Sequence, residues 1–469
     1  MGPAASLDLN DVVDGQKIRA ATIVFFIVAT LLLVSDGFDI SVMGYVGPEL
    51  VKAWHIAPAQ LVPAFSAGIV GLMFGGPVLG LLGDRYGRKR VIIAGLCAFG
   101  AVSLATMAAR NTTDLVVLRF ITGVGLGGVI PNVVALVAEV TPRRVRGRLI
   151  VIITMGVPLG IALPGLVAAA LVPRFGWPVL LLVGGILPLG MALVSMFLLP
   201  ESIKYLMERG DRDAEVRRLA RHLRPDLSIT DTTRFTLPAA VRSGRHGSPR
   251  QLFHGDFAAV TPLLWISNAA NQMANFFALT WLPMLLQATG ATTAQAGVGA
   301  SLFSLGGLTG GLVLLFIIDR VGVVPLVILF VLGAPLVAAM GVPLMSPTLH
   351  GVIIAGAGLC VTGINLGLTA FLGISYPTTI RSMGAGWAQA AGRVGALAAP
   401  VLGGVMLGMH LPIQQLLLAP AAAMVVGAVS CASLAWLCRR RFGGPHLDQF
   451  STIAFAERPL AAASDISVA

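Results

Sequence analysis

Residues 75–90 read GGPVLGLLGDRYGRKR, and residues 310–325 read GGLVLLFIIDRVGVVP. Gly75, Gly76, Asp84, Arg85 and Gly87 of the first stretch recur as Gly310, Gly311, Asp319, Arg320 and Gly322, each 235 residues later. The same offset carries Pro142 and Arg146 onto Pro377 and Arg381. One register holding at two separate loops is a poor candidate for chance. The chain is read as two related halves.

Around these loops the sequence is mostly apolar. Of 469 residues, 56% are hydrophobic and 11% charged, against roughly 25% charged in a soluble domain. A membrane-crossing helix needs about 20 predominantly apolar residues. That rule gives twelve spans: 21–47, 58–83, 90–109, 114–140, 148–172 and 177–199, then 257–287, 293–318, 323–345, 350–376, 382–408 and 412–437. The expected fold is all-α and membrane-embedded, with twelve transmembrane helices in two six-helix pseudo-repeats. The expected domains are an N-terminal tail (1–20), a first bundle (21–199), a linker (200–256), a second bundle (257–438) and a C-terminal tail (439–469).

The net charge of +11 would suit nucleic acid if it formed one basic surface. It is instead divided among short loops between apolar runs. Arg85, Arg88, Lys89 and Arg90 follow span 2, Arg143, Arg144, Arg146 and Arg148 follow span 4, and Arg439–Arg441 close span 12. Residues 200–256 hold eleven more Lys and Arg. The opposite loops are nearly bare, with Lys52, Arg110 and Arg174 as exceptions. The positive-inside rule then places both termini and the linker in the cytoplasm. Residues 1–20 lack the apolar core and cleavage site of a signal peptide, and Asp213–Leu223 has the pattern of an amphipathic surface helix on anionic headgroups. Cys97, Cys360, Cys431 and Cys438 lie in or beside apolar runs and read as small buried hydrophobes. No cofactor or metal is expected, and no nucleic-acid partner.

Six-span repeats related by an axis along the membrane normal describe one class of transporter, with the solute site near the midplane between the halves. With GLLGDRYGRKR at 80–90, RFITGVGLGG at 119–128 and Pro200-Glu201-Ser202 after span 6, the chain resembles the major facilitator superfamily over nearly its whole length. More narrowly, Asp36-Gly37-Phe38-Asp39 in span 1 is similar to the aromatic acid/proton symporter family. So are Gly386-Trp387, Gly392-Arg393-Val394-Gly395 and Pro400 in span 11. The resemblance implies that Gly80 allows close helix approach and that Asp84 helps latch the halves on the cytoplasmic side. Arg85, Arg88, Glu139 and Arg146 are the expected members of that charge cluster, with Asp319 and Arg381 as its second-half equivalent. The second-half loop departs from the pattern, because DRVGVV lacks the basic run, so its gate should be weaker.

Charges inside a bilayer are costly and mark functional sites or pairings. Well inside the spans stand Asp36, Asp39, Arg119 and Arg393, with Glu139 near a span end. At 1.5 Å per residue, Asp39 and Arg119 fall at similar depth, which allows an ion pair. Asp36 and Asp39 are three apart and can share a helical face. Two close carboxylates in low dielectric resist ionising together, so one is suited to binding a proton. The expectation is that Asp36 and Asp39 carry a coupling proton while Arg119 stabilises the deprotonated state. The plainer alternative is a fixed pair tying helices 1 and 4.

Arg393 lies in mid-span with Gly392 and Gly395 beside it, and its planar fork suits a carboxylate. Asn271 and Asn275 share a face of span 7 close to Trp281, and Asn132 and Asn365 sit in spans 4 and 10 at similar expected depth. As a set these amides would line a polar cavity, with a substrate ring hydroxyl among the partners they can take; singly, each is as well read as an interhelical bond. Gly123, Gly125 and Gly128 spell G-x-G-x-x-G inside an apolar span, which reads as helix packing and not a nucleotide turn. No Gly-x-x-x-x-Gly-Lys-Ser/Thr loop occurs, so an ion gradient is the expected energy source.

The expected function is therefore import of a small organic anion by proton symport with alternating access, in the bacterial inner membrane. An aromatic acid such as a hydroxybenzoate is the expected substrate, with protons and membrane lipid as the other partners. Proton symport of a non-aromatic acid or sugar-like solute, export of metabolites or drugs, and ligand sensing without transport are the alternatives. A mid-span Arg393 disfavours cation export. No enzyme activity is expected.

Overall fold

In lipid, backbone groups have no water to bond, so a spanning segment must satisfy them within a helix. The computed structural model describes residues 6–16, 19–209, 213–224, 233–236, 249–255, 257–342, 346–376 and 380–442. Its long helices follow the order of the expected spans. In the first half they are α1 (Ala20–Trp54), α2 (Val62–Tyr86), α3 (Arg88–Thr106), α4 (Thr112–Gly127, resuming as Val129–Val140), α5 (Arg143–Thr154, resuming as Gly156–Phe175) and α6 (Pro178–Leu198). In the second they are α7 (Phe257–Ala288), α8 (Thr293–Val321), α9 (Val324–Ala339), α10 (Pro347–Ser375), α11 (Arg381–Gly408) and α12 (Ile413–Phe442).

Among the described residues, ten helices are long and apolar enough to cross a membrane. The two that fall short of the twelve expected are α9, at 16 residues, and α7, whose middle carries Asn268, Asn271, Gln272 and Asn275. Leu81, Phe197 and Phe316 are each more than 70% exposed. Such outward apolar side chains fit a chain whose solvent is lipid.

The chain divides into two compact units, Met1–Ile56 with Gln60–Gly244, and Ala57–Ala59 with Arg245–Ala469. In the first, the closest helix pairs are α2 with α4, α1 with α5 and α3 with α6. In the second they are α8 with α10, α7 with α11 and α9 with α12, the same scheme six helices on.

Glycine sets how near these pairs come. A Cβ on Gly71 would strike the carbonyl of Phe120, one on Gly75 that of Val124, and one on Gly123 that of Gly68. In the second unit, Gly306 meets Ala355 O, Gly310 meets Leu359 O and Gly358 meets Phe303 O. All six positions in each unit keep the offset of 235. Helix association in lipid relies on such close packing, since lipid tails are as apolar as Leu. The G-x-G-x-x-G stretch is thus a packing surface. Gly123 faces α2, and the Cβ site of Gly125 lies 3.2 Å from Gly95 O on α3. Gly80 differs from expectation, with nothing within 4 Å of its Cβ site; the close approach is made one turn earlier, at Gly75 and Gly76. The turns repeat too. Gly87 and Gly322 have φ of 102° and 68°, and His55 and Gly290, ending α1 and α7, have 53° and 97°.

The polar segments of unit 1 are folded against it. β1 (Ser6–Asp8) pairs in parallel with β2 (Arg234–Thr236), a two-stranded exception to the all-α expectation. Asp213–Leu223 is a helix, as its pattern predicts. Its Val216 is buried with Tyr205 and Leu206, and its Ala220 with Val12; the apolar face meets protein where headgroups were expected. The Gln16 amide donates to Val140 O at 2.6 Å, and Arg143 N–H donates to Asp14 at 2.8 Å. Pro377, linker residues 210–212, 225–232, 237–248 and 256, and residues 443–469 of the C-terminal tail lie outside the described residues.

Candidate functional site

Asp36 and Asp39 lie one turn apart on α1, at 0% and 5% exposure, and Arg119 on α4 is 4% exposed. Gly37 and Gly160 let α5 press against α1, where a Cβ on either would strike a backbone carbonyl, Val157 O or Val34 O. Ser41 adds a hydrogen bond to Ile161 O at 3.0 Å. With α1 fixed by α5 on one side, its acidic face meets α4 on another. Both arms of the Arg119 fork reach Asp39, each at 3.5 Å. That is the long limit for a charged hydrogen bond, which usually spans about 2.7–2.9 Å. The structure brings together the pair expected from depth.

The repeat supplies an internal comparison. At the positions matching Asp39 and Arg119, unit 2 has Ala274 and Ile354, both buried. The same packing scheme is therefore built without the ions. A buried pair often stabilises no more than well-packed apolar residues do, so stability alone does not account for its presence in unit 1.

In unit 2 the amides of α7 are spent largely on neighbouring helices. Asn268 donates to Ala388 O on α11 at 2.7 Å, and Asn275 accepts from the Thr362 hydroxyl on α10 at 3.0 Å. Asn271, with its amide nitrogen turned to α10, donates to Val361 O at 2.9 Å and accepts from the backbone N–H of Asn365 at 3.2 Å. The Asn365 side chain is half-buried. Trp281, expected to lie beside a cavity, is 0% exposed, and a Cβ on Gly403 would strike its ring. Arg393 is half-buried on α11. The glycines beside it seat α11 on α7: Gly395 lies against Ala269 O and Gly392 against the Asn268 amide. Asn132 is deeper toward the basic loops than expected: its amide donates to Leu79 O at 3.1 Å and Gly128 O at 2.7 Å, and its oxygen faces Gly83.

At the basic-loop end of unit 1, Arg88 bridges Asp84 and Glu139, each at 2.9 Å. The other Glu139 oxygen accepts from the Ser202 hydroxyl at 2.5 Å. Arg85 leaves the cluster and stacks over the Tyr86 ring, 5.5 Å from its centre. Arg146 does not join it either. Its guanidinium turns back to Thr141 O at 3.0 and 3.2 Å, because α5 begins at Arg143 and points the side chain along its own first turn. The side chains of Asp319 and Arg381 lie outside the described residues.

The amino-terminal two fifths of the chain and more, residues 29–248, match the model of the Major Facilitator Superfamily. The chain is 34% identical to the 4-hydroxybenzoate transporter PcaK of Pseudomonas aeruginosa over 435 residues, covering 91% of this chain and 97% of that one. The chain belongs to the Major Facilitator Superfamily. Within that superfamily it is also 34% identical to a gallate transporter of Pseudomonas putida, over 88% and 92% of the two chains. A 3-(3-hydroxy-phenyl)propionate transporter of Escherichia coli is 32% identical over 81% and 85%. Among solved structures, the D-xylose-proton symporter superposes with a TM-score of 0.65 at 16% identity, over 88% and 97%, which bears on the fold alone. This Major Facilitator chain is a multi-pass membrane transporter and not an enzyme.

Two residues of the basic-end cluster escaped sequence reading. Glu201 accepts from the Lys89 N–H at 3.0 Å and the Ser202 N–H at 2.9 Å. It thereby caps the start of α3, whose own N-cap is Gly87 without a side chain; an acid there also suits the helix dipole. Ser202 ties this cap to Glu139. The signal was a lone acid directly after the last apolar residue of span 6, read only as part of a resemblance. Glu201→Ala should lower stability by about 1 kcal/mol, the usual cost of a lost cap, visible as a lower melting temperature of the purified protein.

Proposed function

We propose that this protein imports a small aromatic carboxylate together with protons across the bacterial inner membrane, by alternating access, with both termini in the cytoplasm. The observation that carries the reading is the buried Asp39–Arg119 pair at 3.5 Å with Asp36 one turn away, set against Ala274 and Ile354 in the repeat. The printed substrates of the relatives, 4-hydroxybenzoate, gallate and 3-(3-hydroxy-phenyl)propionate, each join a carboxylate to a hydroxylated ring. That chemistry matches the supply of groups in the two bundles, 21–199 and 257–438.

Asp36 and Asp39 take the proton, and Arg119 holds Asp39 ionised between cycles. Arg393 offers a guanidinium to the substrate carboxylate. Asn275 uses its oxygen on Thr362, leaving its amide nitrogen as a donor to a ring hydroxyl, and Asn365 stands beside it on α10. Asn271 and Trp281 support that site through packing and interhelical bonds, and Asn132 ties α4 to α2 within the first bundle. Asp84, Arg88 and Glu139 form the gating cluster of the first bundle, which Glu201 and Ser202 join and Gly80, Arg85 and Arg146 flank; Asp319 and Arg381 are its second-half counterpart.

Purified protein in liposomes, given hydroxybenzoates, gallate, benzoate and aliphatic acids, tests this. Accumulation of a hydroxylated aromatic acid only under an inward proton gradient, abolished by a protonophore, is the expected result. Failure to accumulate any of the acids would overturn the assignment.

A further inference from the structure

Asp36 and Asn271 occupy matching positions in the two units, 235 residues apart. Asn271 bridges Val361 O and the Asn365 N–H, two groups that an α-helix normally pairs with each other. An amide serves both, because it carries a donor and an acceptor. α10 runs unbroken through this point, from Pro347 to Ser375. The matching groups in unit 1 are Leu126 O and the Ile130 N–H. There the hydrogen bonding of α4 is interrupted for one residue: Gly128 keeps right-handed helical dihedrals (φ −89°, ψ −15°), but its N–H turns back to Leu126 O.

An ionised carboxylate only accepts hydrogen bonds, so it can serve the Ile130 N–H but repels the Leu126 carbonyl. A protonated carboxyl carries a donor and an acceptor, like the amide of Asn271. We infer that Asp36 sets the continuity of α4: ionised, it leaves the helix broken at Gly128; protonated, it bridges Leu126 O and Ile130 N–H as Asn271 does in α10. Unit 1 then has a proton-dependent helix joint, and unit 2 a permanent one.

The joint lies between two anchors on α1. The Thr112–Gly127 piece is tied to α1 by Arg119 and Asp39. The Val129–Val140 piece packs on α1 through one core that includes Leu32, Leu33, Val129 and Val133. Few other titratable groups face this level. α1 itself adds Asp39 and, farther along, Tyr45, Glu49 and Lys52; α4 brings Arg119 and, at its two ends, Asp114 and Glu139. α5 has only its terminal Arg143, Arg144, Arg146, Arg148 and Arg174, and α6 has none.

The inference rests on Asp36 being one of the proton-binding groups proposed above, and adds what its proton does. It is tested by hydrogen exchange of full-length protein in nanodiscs, with rates divided by intrinsic rates at each pH. Amides of residues 128–132 should gain about fivefold protection on acidification, the worth of one net hydrogen bond, while residues 363–367 stay constant. Asp36→Asn should show the protected level at every pH. Asn271→Asp should transfer the pH dependence to residues 363–367, with protection lost as pH rises. Unchanged exchange across α4, or pH dependence surviving in Asp36→Asn, would overturn the joint. If Asp36→Asn also lost proton-driven uptake in that case, the symport reading would stand without it.

Discussion

Asp39→Ala should unfold part of the population and end accumulation of substrate, and adding Arg119→Ile should restore the fold without restoring transport. The single change leaves a buried guanidinium with no counter-ion. Breaking a buried pair in this way costs about 3–5 kcal/mol. The double change installs the residues that unit 2 has at the same places, Ala274 and Ile354, both buried at 1% and 3% exposure. Apolar replacement of a whole pair is often neutral, so the melting temperature should return near that of the parent protein. Uptake should not, because the proton-binding carboxylate and its partner are gone. A double variant that still accumulates substrate against its gradient would remove the pair from the coupling. One that stays as unstable as Asp39→Ala would make the pair structural.

The second large effect concerns packing. Gly123→Val should abolish folded protein. Its Cβ site already overlaps Gly68 O, with the Gly71 Cα 3.1 Å away, and the obstacle is backbone, which does not swing aside. Overpacking usually costs about 1–3 kcal/mol and rises when a rigid element must move. Gly358→Val in unit 2, against Phe303 O, should fail in the same way. Gly80→Ala, with nothing within 4 Å, should leave the melting temperature unchanged. The readout is the yield of monodisperse protein after extraction in mild detergent. Normal yield from Gly123→Val would show that α2 and α4 do not need this approach.

The fold was largely legible because its signals are local. Apolar run length gives the helices, and a constant offset gives the repeat. The Asp39–Arg119 pair was legible as well, since depth along two antiparallel helices is simple counting. Rotation about a helix axis is harder to count. Trp281 looks available in sequence yet is sealed against Gly403, and the glycines beside Arg393 turn toward α7. Arg146 shares a loop with the basic cluster but bonds to its own turn. Glu201 was hidden for a related reason: its partner, the start of α3, is 112 residues away, and only the packing of α6 on α3 brings them together.

The short parallel pairing of β1 with β2 also bears on how the protein is made. Ser6 stands ahead of α1 and its partner Arg234 beyond α6, so the pair cannot form until all six helices between them have been synthesised. Both strands precede α7, which begins at Phe257, so the pairing needs nothing from the second bundle. The pairing is thus a clasp that joins the two ends of the first bundle and closes its six helices into one loop of chain.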